Sequence, residues 1–243
     1  MISRFHAVGK ERRVPRVLSA SAHLLMVLLI SACTYTGGID NPVVRKFSWF
    51  SYVGGDDIRR LCTRGADRYR FVYNADYEEQ VRAYDLRPSA TGTGAVLWGQ
   101  IVGAPNLGGT AGFVVDDLLA PWRGTSTRKD LSEADYRALL KAVDDGAFAE
   151  PPPARLQLNS WGFYWVASAC VDGKFLFNAA AHPSPRFAAL RFPEVLARHD
   201  LSGIPWNPPR DVAPEVGGQP AGRQEDLSRQ YFLLRAGPGG LNG

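Results

Sequence analysis

The chain has 243 residues, of which 28 are basic and 24 acidic, and its formal charge is +4. Five of the basic residues and one of the acidic fall within the first 32, so the remainder carries 23 of each and is neutral. A sequence-independent nucleic-acid partner needs a basic footprint, and this balance argues against one.

At the N-terminus, Arg4, Lys10, Arg12, Arg13 and Arg16 precede 14 largely apolar residues, 17–30. A basic segment, a short apolar core and small residues at its end make residues 1–32 a secretory signal peptide. The apolar run is shorter than the roughly 20 residues that a membrane span needs, and Ser19, Ser21 and His23 interrupt it. It ends in Ile30-Ser31-Ala32-Cys33. That tetrapeptide resembles the lipobox of bacterial lipoproteins: an aliphatic residue, two small residues and a cysteine. The resemblance implies a diacylglycerol thioether on Cys33, cleavage before it and acylation, such as palmitoylation, of the new terminus. Several acyl chains anchor stably where one is marginal, at about 0.8 kcal/mol per buried CH₂. Thr34 follows the cysteine, where Asp would imply inner-membrane retention by likeness to enterobacterial lipoproteins. The resemblance therefore implies the outer membrane, facing the periplasm, in a Gram-negative host. The alternatives are an uncleaved signal anchor over residues 17–36, or a Cys33 incidental to ordinary cleavage.

Residues 33–42 read as the lipidated Cys and a flexible tether, and residues 43–206 as the globular domain. Asp56 and Asp57 precede Ile58, Leu61 and Cys62 at helical spacing, which predicts a short helix with an acidic cap and dipole partner. In residues 68–74, Tyr69, Phe71 and Tyr73 alternate with Arg70 and Val72, the pattern of a strand with one aromatic face. Residues 79–87 and 93–103 read as two further strands, so an antiparallel meander is expected. Residues 104–130 are rich in Gly and Pro and read as irregular, with residues 103–112 a mobile loop. Their glycines lack the spacing of a phosphate loop.

Ser132 is a good N-cap before Tyr136, Leu139, Leu140 and Val143, which recur as on one face of a helix ending near Gly146. Residues 151–153 are three prolines, a stiff spacer. Residues 161–171 are apolar on both faces, as in a buried central strand. Asp172-Gly173 then turns the chain into a return strand over 174–181. Pro193 opens a short helix containing Val195 and Leu196. From residue 207 the chain is rich in Pro, Gly and charge, and a disordered tail over 207–243 is expected, with a possible short element at 227–234. The fold class is therefore α+β: one domain, a mainly antiparallel sheet of about five strands, and about three helices packed on one face.

Beyond the leader and the lipidated Cys33 there remain two histidines, His182 and His199, and two cysteines, Cys62 and Cys170. No CxxC or HExxH pattern occurs, so no metal or cofactor is expected. The cysteines suit a disulfide in an oxidising compartment, the alternative being two buried free thiols. A hydrolase would need His182 or His199 beside Ser160, Ser168 or an Asp, and no G-x-S-x-G elbow is present. Trp98, Trp161, Tyr164, Trp165, Tyr69 and Tyr73 sit on neighbouring predicted strands, where rings are either core or stacking platforms for sugars. No residue is assigned a catalytic role. The expected function is that of a lipid-anchored, non-enzymatic envelope protein that binds an envelope protein or a cell-wall glycan. The alternative is a tethered periplasmic hydrolase acting on envelope polymers.

Overall fold

A computed structural model describes residues 34–63, 66–103, 117–212, 215–216, 219–220 and 231–242. The leader, Cys33 and residues 104–116 lie outside them.

The first element is helix α1 (Pro42–Gly54). The Asn41 side chain caps its start by accepting the N–H groups of Val43 and Val44, and Pro42 presets the first turn. Gly55 ends it in the left-handed region at φ 70°. Helix α2 (Asp56–Leu61) follows at once. The meander is strands β1 (Arg68–Ala75), β2 (Gln80–Pro88) and β3 (Ala95–Gly103). A short helix α3 (Ala120–Arg123) leads into β4 (Thr125–Leu131), and then into α4 (Glu133–Asp144). Strands β5 (Leu156–Asn159), β6 (Phe163–Val171) and β7 (Lys174–Ala181) come next, then helices α5 (Pro185–Ala189) and α6 (Phe192–His199). Two-residue strands β8 (Glu215–Val216) and β9 (Gln219–Pro220) precede β10 (Leu233–Gly237) and β11 (Gly240–Asn242).

The main sheet has the order β4-β3-β2-β1-β6-β7, antiparallel throughout. It has six strands where five are expected, because β4, all but Leu131, lies in the segment 104–130 read as irregular. The sequence of β4, TSTRKDL, carries no apolar residue before Leu131. It is an edge strand, and charge suits an edge. The β6–β7 turn has Asp172 and Gly173 at φ 49° and 74°, as a two-residue hairpin requires.

Both faces of the sheet are covered, not one. On the first face, Phe71, Leu86 and Leu97 pack against Leu139 and Val143 of α4 and Phe192 and Leu196 of α6. On the second, Val72, Val81 and Val166 pack against Trp49 and Tyr52 of α1, and against Leu158 and Leu234 of a small sheet ordered β11-β10-β5. Part of the segment expected to be a disordered tail is thus core: Leu234 pairs with Leu158 across β10 and β5. The expected flexible tether is also pinned. Tyr35 is buried, its N–H donates to the Ser51 hydroxyl, and its ring meets Tyr52 edge-on at 4.7 Å.

Two buried features fasten the layers. Cys62 at the end of α2 and Cys170 in β6 are joined by a disulfide, with Cα atoms 5.3 Å apart. On the first face, Arg82 of β2 clamps the chain that leaves α6. Its guanidinium pairs with Asp200, donates to the carbonyls of Ile204 and Pro205, and lies 4.5 Å from the centre of the Trp206 ring.

Candidate functional site: a cleft on the uncovered half of the sheet

On the second face, α1, α2 and the small sheet cover β1, β6, β7 and most of β2, and leave the outer part of β3 and β4 more open. The register sets what lies along that open part: Asp85 faces Trp98, and Trp98 faces Arg128. The wall is the segment between Tyr35 and Asp40, so a cleft of about 520 Å³ lies between it and the strands. That is ample for a small ligand or part of a polymer.

A four-residue ion network closes the covered end of the cleft. Asp57, in the first turn of α2, takes two bonds from Arg70, at 2.7 and 3.0 Å, and a third contact from Arg68 at 2.9 Å. Asp85 of β2 is held by Arg68 at 2.9 Å and Arg70 at 3.1 Å, and its other oxygen accepts the Tyr52 hydroxyl at 3.0 Å. The Arg70 guanidinium also lies 3.7 Å from the centre of the Tyr52 ring. Two cations and two anions make the cluster neutral, which a buried group of charges requires. Burial works against the charge on Asp85, but Arg70 and Arg68 outweigh it and hold its carboxyl below the usual carboxylate range. Burial likewise opposes the charge on Arg70, and Asp85 leads the groups that keep it firmly protonated. With both oxygens committed and its proton affinity lowered, Asp85 is poorly placed for acid or base work.

The open part of the cleft has a different chemistry. Trp98 is 37 % exposed, and Arg87 and Arg128 flank its ring at 5.4 and 6.0 Å. Gln100, one strand position pair further along, is held by the Arg123 carbonyl at 2.7 Å and by the Ser126 hydroxyl. A flat ring beside two cations suits a ligand with an apolar face and an acidic group.

The other sequence candidates fall elsewhere. Five of the six aromatics singled out, Trp161, Tyr164, Trp165, Tyr69 and Tyr73, are buried; Trp98 alone of the six reaches solvent. His182 lies with Nε2 3.4 Å from exposed Asp211 and its ring edge-on to Phe187. His199 Nδ1 is 3.0 Å from the Lys129 ammonium and its Nε2 3.8 Å from Asp135. Burial, and then Lys129, hold the His199 pKa below its ordinary value. Ser160 is buried, with its hydroxyl accepting the Phe232 N–H. Ser168 is buried in β6 beside Gly55, where an added Cβ would meet its Oγ at 2.5 Å. The structure brings neither serine into hydrogen-bond contact with either histidine. Asp56 and Asp57 do stand in a first helical turn as the acidic pattern suggests, but the cap is Gly55, and Asp57 belongs to the ion network. Sequence reading missed that network. Its signal was Arg68 and Arg70, two residues apart on the face opposite the aromatics of β1.

No protein-family model, curated protein or solved structure matches the chain. Among the described residues, no helix is long and apolar enough to cross a membrane.

Proposed function

We propose that the chain is a lipid-anchored envelope protein whose α+β domain binds a cell-wall component without transforming it. The anchor reading rests on Ile30-Ser31-Ala32-Cys33, with Cys33 lipidated and the domain facing the periplasm from the outer membrane of a Gram-negative host. The observation that carries the binding reading is Trp98. Five neighbouring aromatics are packed away, yet this ring lies open in a cleft between Arg87 and Arg128. Exposed aromatic surface rimmed by polar groups marks interaction sites. Peptidoglycan has the matching chemistry: sugar faces for the ring and peptide carboxylates for the arginines. The choice of binding over hydrolysis rests on the commitment of Asp57 and Asp85 to arginines, and on the separation of His182 and His199 from the cleft lining.

The test is co-sedimentation of the purified lipoprotein with isolated sacculi, alongside W98A and R87A. Retention of the parent chain, several-fold weaker retention of both variants and intact sacculi after incubation support the reading. Equal retention of W98A, or release of soluble muropeptides, overturns it.

A further inference from the structure

Helix α1 is apolar on both sides. Its inward side carries Trp49, Tyr52 and Val53 in the core. Its outward side carries Val43, Phe47 and Phe50, spaced i, i+4, i+7 and exposed by 49, 60 and 51 %. Three large apolar side chains on one turn-spaced stripe are unlike the scattered exposure normal for a soluble surface. The stripe borders a groove of about 510 Å³ that Trp122 and Phe232 also line. Trp122 is itself partly exposed and is fixed beside the helix, because Arg45 of α1 donates to its carbonyl. Lys46 stands exposed next to the stripe. An aliphatic and aromatic stripe with a tryptophan and a lysine at its margin is the composition of a membrane-interface helix.

The position of the anchor says what covers this face. Tyr35 is buried, and its N–H is 3.0 Å from the hydroxyl of Ser51, the residue after Phe50. Only two residue steps separate Tyr35 from Cys33, at most about 7 Å of extended chain. A lipid on Cys33 therefore cannot hold the domain on a long leash. We infer that the outer stripe of α1, with Trp122, lies in the interfacial layer of the same membrane that receives the acyl chains, so that the domain is docked on the bilayer in a fixed orientation. The inference rests on the lipid-anchor reading. A fixed orientation would also hold the cleft wall, residues 35–40, close to the membrane surface.

The experiment uses the full chain, processed in its host, purified and reconstituted into vesicles of phosphatidylethanolamine and phosphatidylglycerol. A single environment-sensitive fluorophore (NBD) is placed through Phe47→Cys or, as a control at an exposed position of α4, Arg137→Cys. The buried disulfide pair leaves the introduced thiol as the labelling site. A docked helix gives a blue-shifted label at 47, several-fold slower to bleach with dithionite than the label at 137. Adding Phe50→Asp to the 47-labelled chain should return its bleaching rate towards that of the control. Equal bleaching at 47 and 137 in a chain that carries lipid by intact mass overturns the docking and leaves the anchor standing. A chain whose mass shows no lipid overturns both. A retained leader with label 47 shielded even in detergent assigns the stripe to residues 17–30 instead. Shielding that disappears when vesicles hold one copy each assigns it to a second copy of the chain. Either result overturns the proposal.

Discussion

Arg70 and Arg82 sit on neighbouring strands, point to opposite faces of one sheet and are both fully buried. They are neutralised in different ways. Arg70 shares two carboxylates, Asp57 and Asp85, with a second arginine, Arg68, so each anion has two cations. Arg82 pairs with one carboxylate, Asp200, and otherwise donates to neutral acceptors: the carbonyls at 204 and 205, the Gln80 side-chain oxygen and the Ser202 hydroxyl. The first arrangement is redundant and shapes the end of a cleft. The second has no spare cation and holds a strap of chain over the aromatic core. A buried charge is costly mainly when its partner is removed, so redundancy should decide how each face tolerates damage.

The largest effect is expected from R82M. It leaves the Asp200 carboxylate, whose side chain is 4 % exposed, without its cation, and the Ile204 carbonyl without the Arg82 donor, while the Pro205 carbonyl keeps the Gln80 amide at 2.9 Å. Loss of one partner of a buried pair costs about 3–5 kcal/mol. Urea unfolding of the parent and variant measures this. Hydrogen exchange of residues 200–207 should quicken far more than that of β1. A loss under about 1 kcal/mol would show that the strap is held mainly by the stacking of Trp206 on Tyr84 and Tyr73 and by the bonds it makes with Gln80, Tyr73 and Tyr84.

R70M should cost less, about 1–3 kcal/mol, because Arg68 still reaches both carboxylates at 2.9 Å. The comparison sharpens in a double-mutant cycle. R68M alone should be mild, since Arg70 remains, and R68M/R70M should cost more than the two single losses together, with a coupling of about 0.5–3 kcal/mol. Additive losses would mean that the two arginines do not substitute for one another, and that the network is two separate pairs.

Much of the sheet was legible in the sequence. The alternation in 68–74, the double-sided apolar run at 161–171 and Asp172-Gly173 are local signals, and β1, β6 and the β6–β7 turn follow from them. What was not legible depends on distant partners. Leu234 becomes core by pairing with Leu158, 76 residues earlier, and nothing local in either segment announces that. The polar sequence of β4 hides a strand because an edge strand can be polar. Helix α1 escapes the search for one apolar stripe because it has two. Arg70 was placed on the correct face of β1, but alternation alone reads that face as solvent. It is buried because α1 and α2 cover it and bring Asp57, 13 residues away. Trp98 was among six candidate rings, and periodicity cannot separate five core rings from one exposed ring when the sheet is covered on one face and on all but the outer strands of the other.

The smallest expected effect separates the histidine from the buried carboxyls by pH. On the Arg82 face, His199 lies at the end of α6, with burial, Lys129 and Arg198 lowering its pKa and Asp135 opposing them. Its folded-state pKa is thus below the unfolded value of about 6.5. As pH falls through that value, the unfolded chain takes up the proton first, so stability declines from there down to the folded pKa. The carboxyls act in a lower window. Asp85 and Asp200 are both depressed when folded, so their contribution is complete above about pH 4 and is lost as pH falls through their folded values. Thermal melting of the parent from neutral to acid pH should therefore show a shallow first decline and then a steep one. H199Q should abolish the first and leave the second, while R70M, which leaves the histidine untouched, should keep the first and alter the second. If H199Q melts in parallel with the parent between pH 7 and pH 5, His199 titrates alike in both states, and the Lys129 contact does not persist in solution.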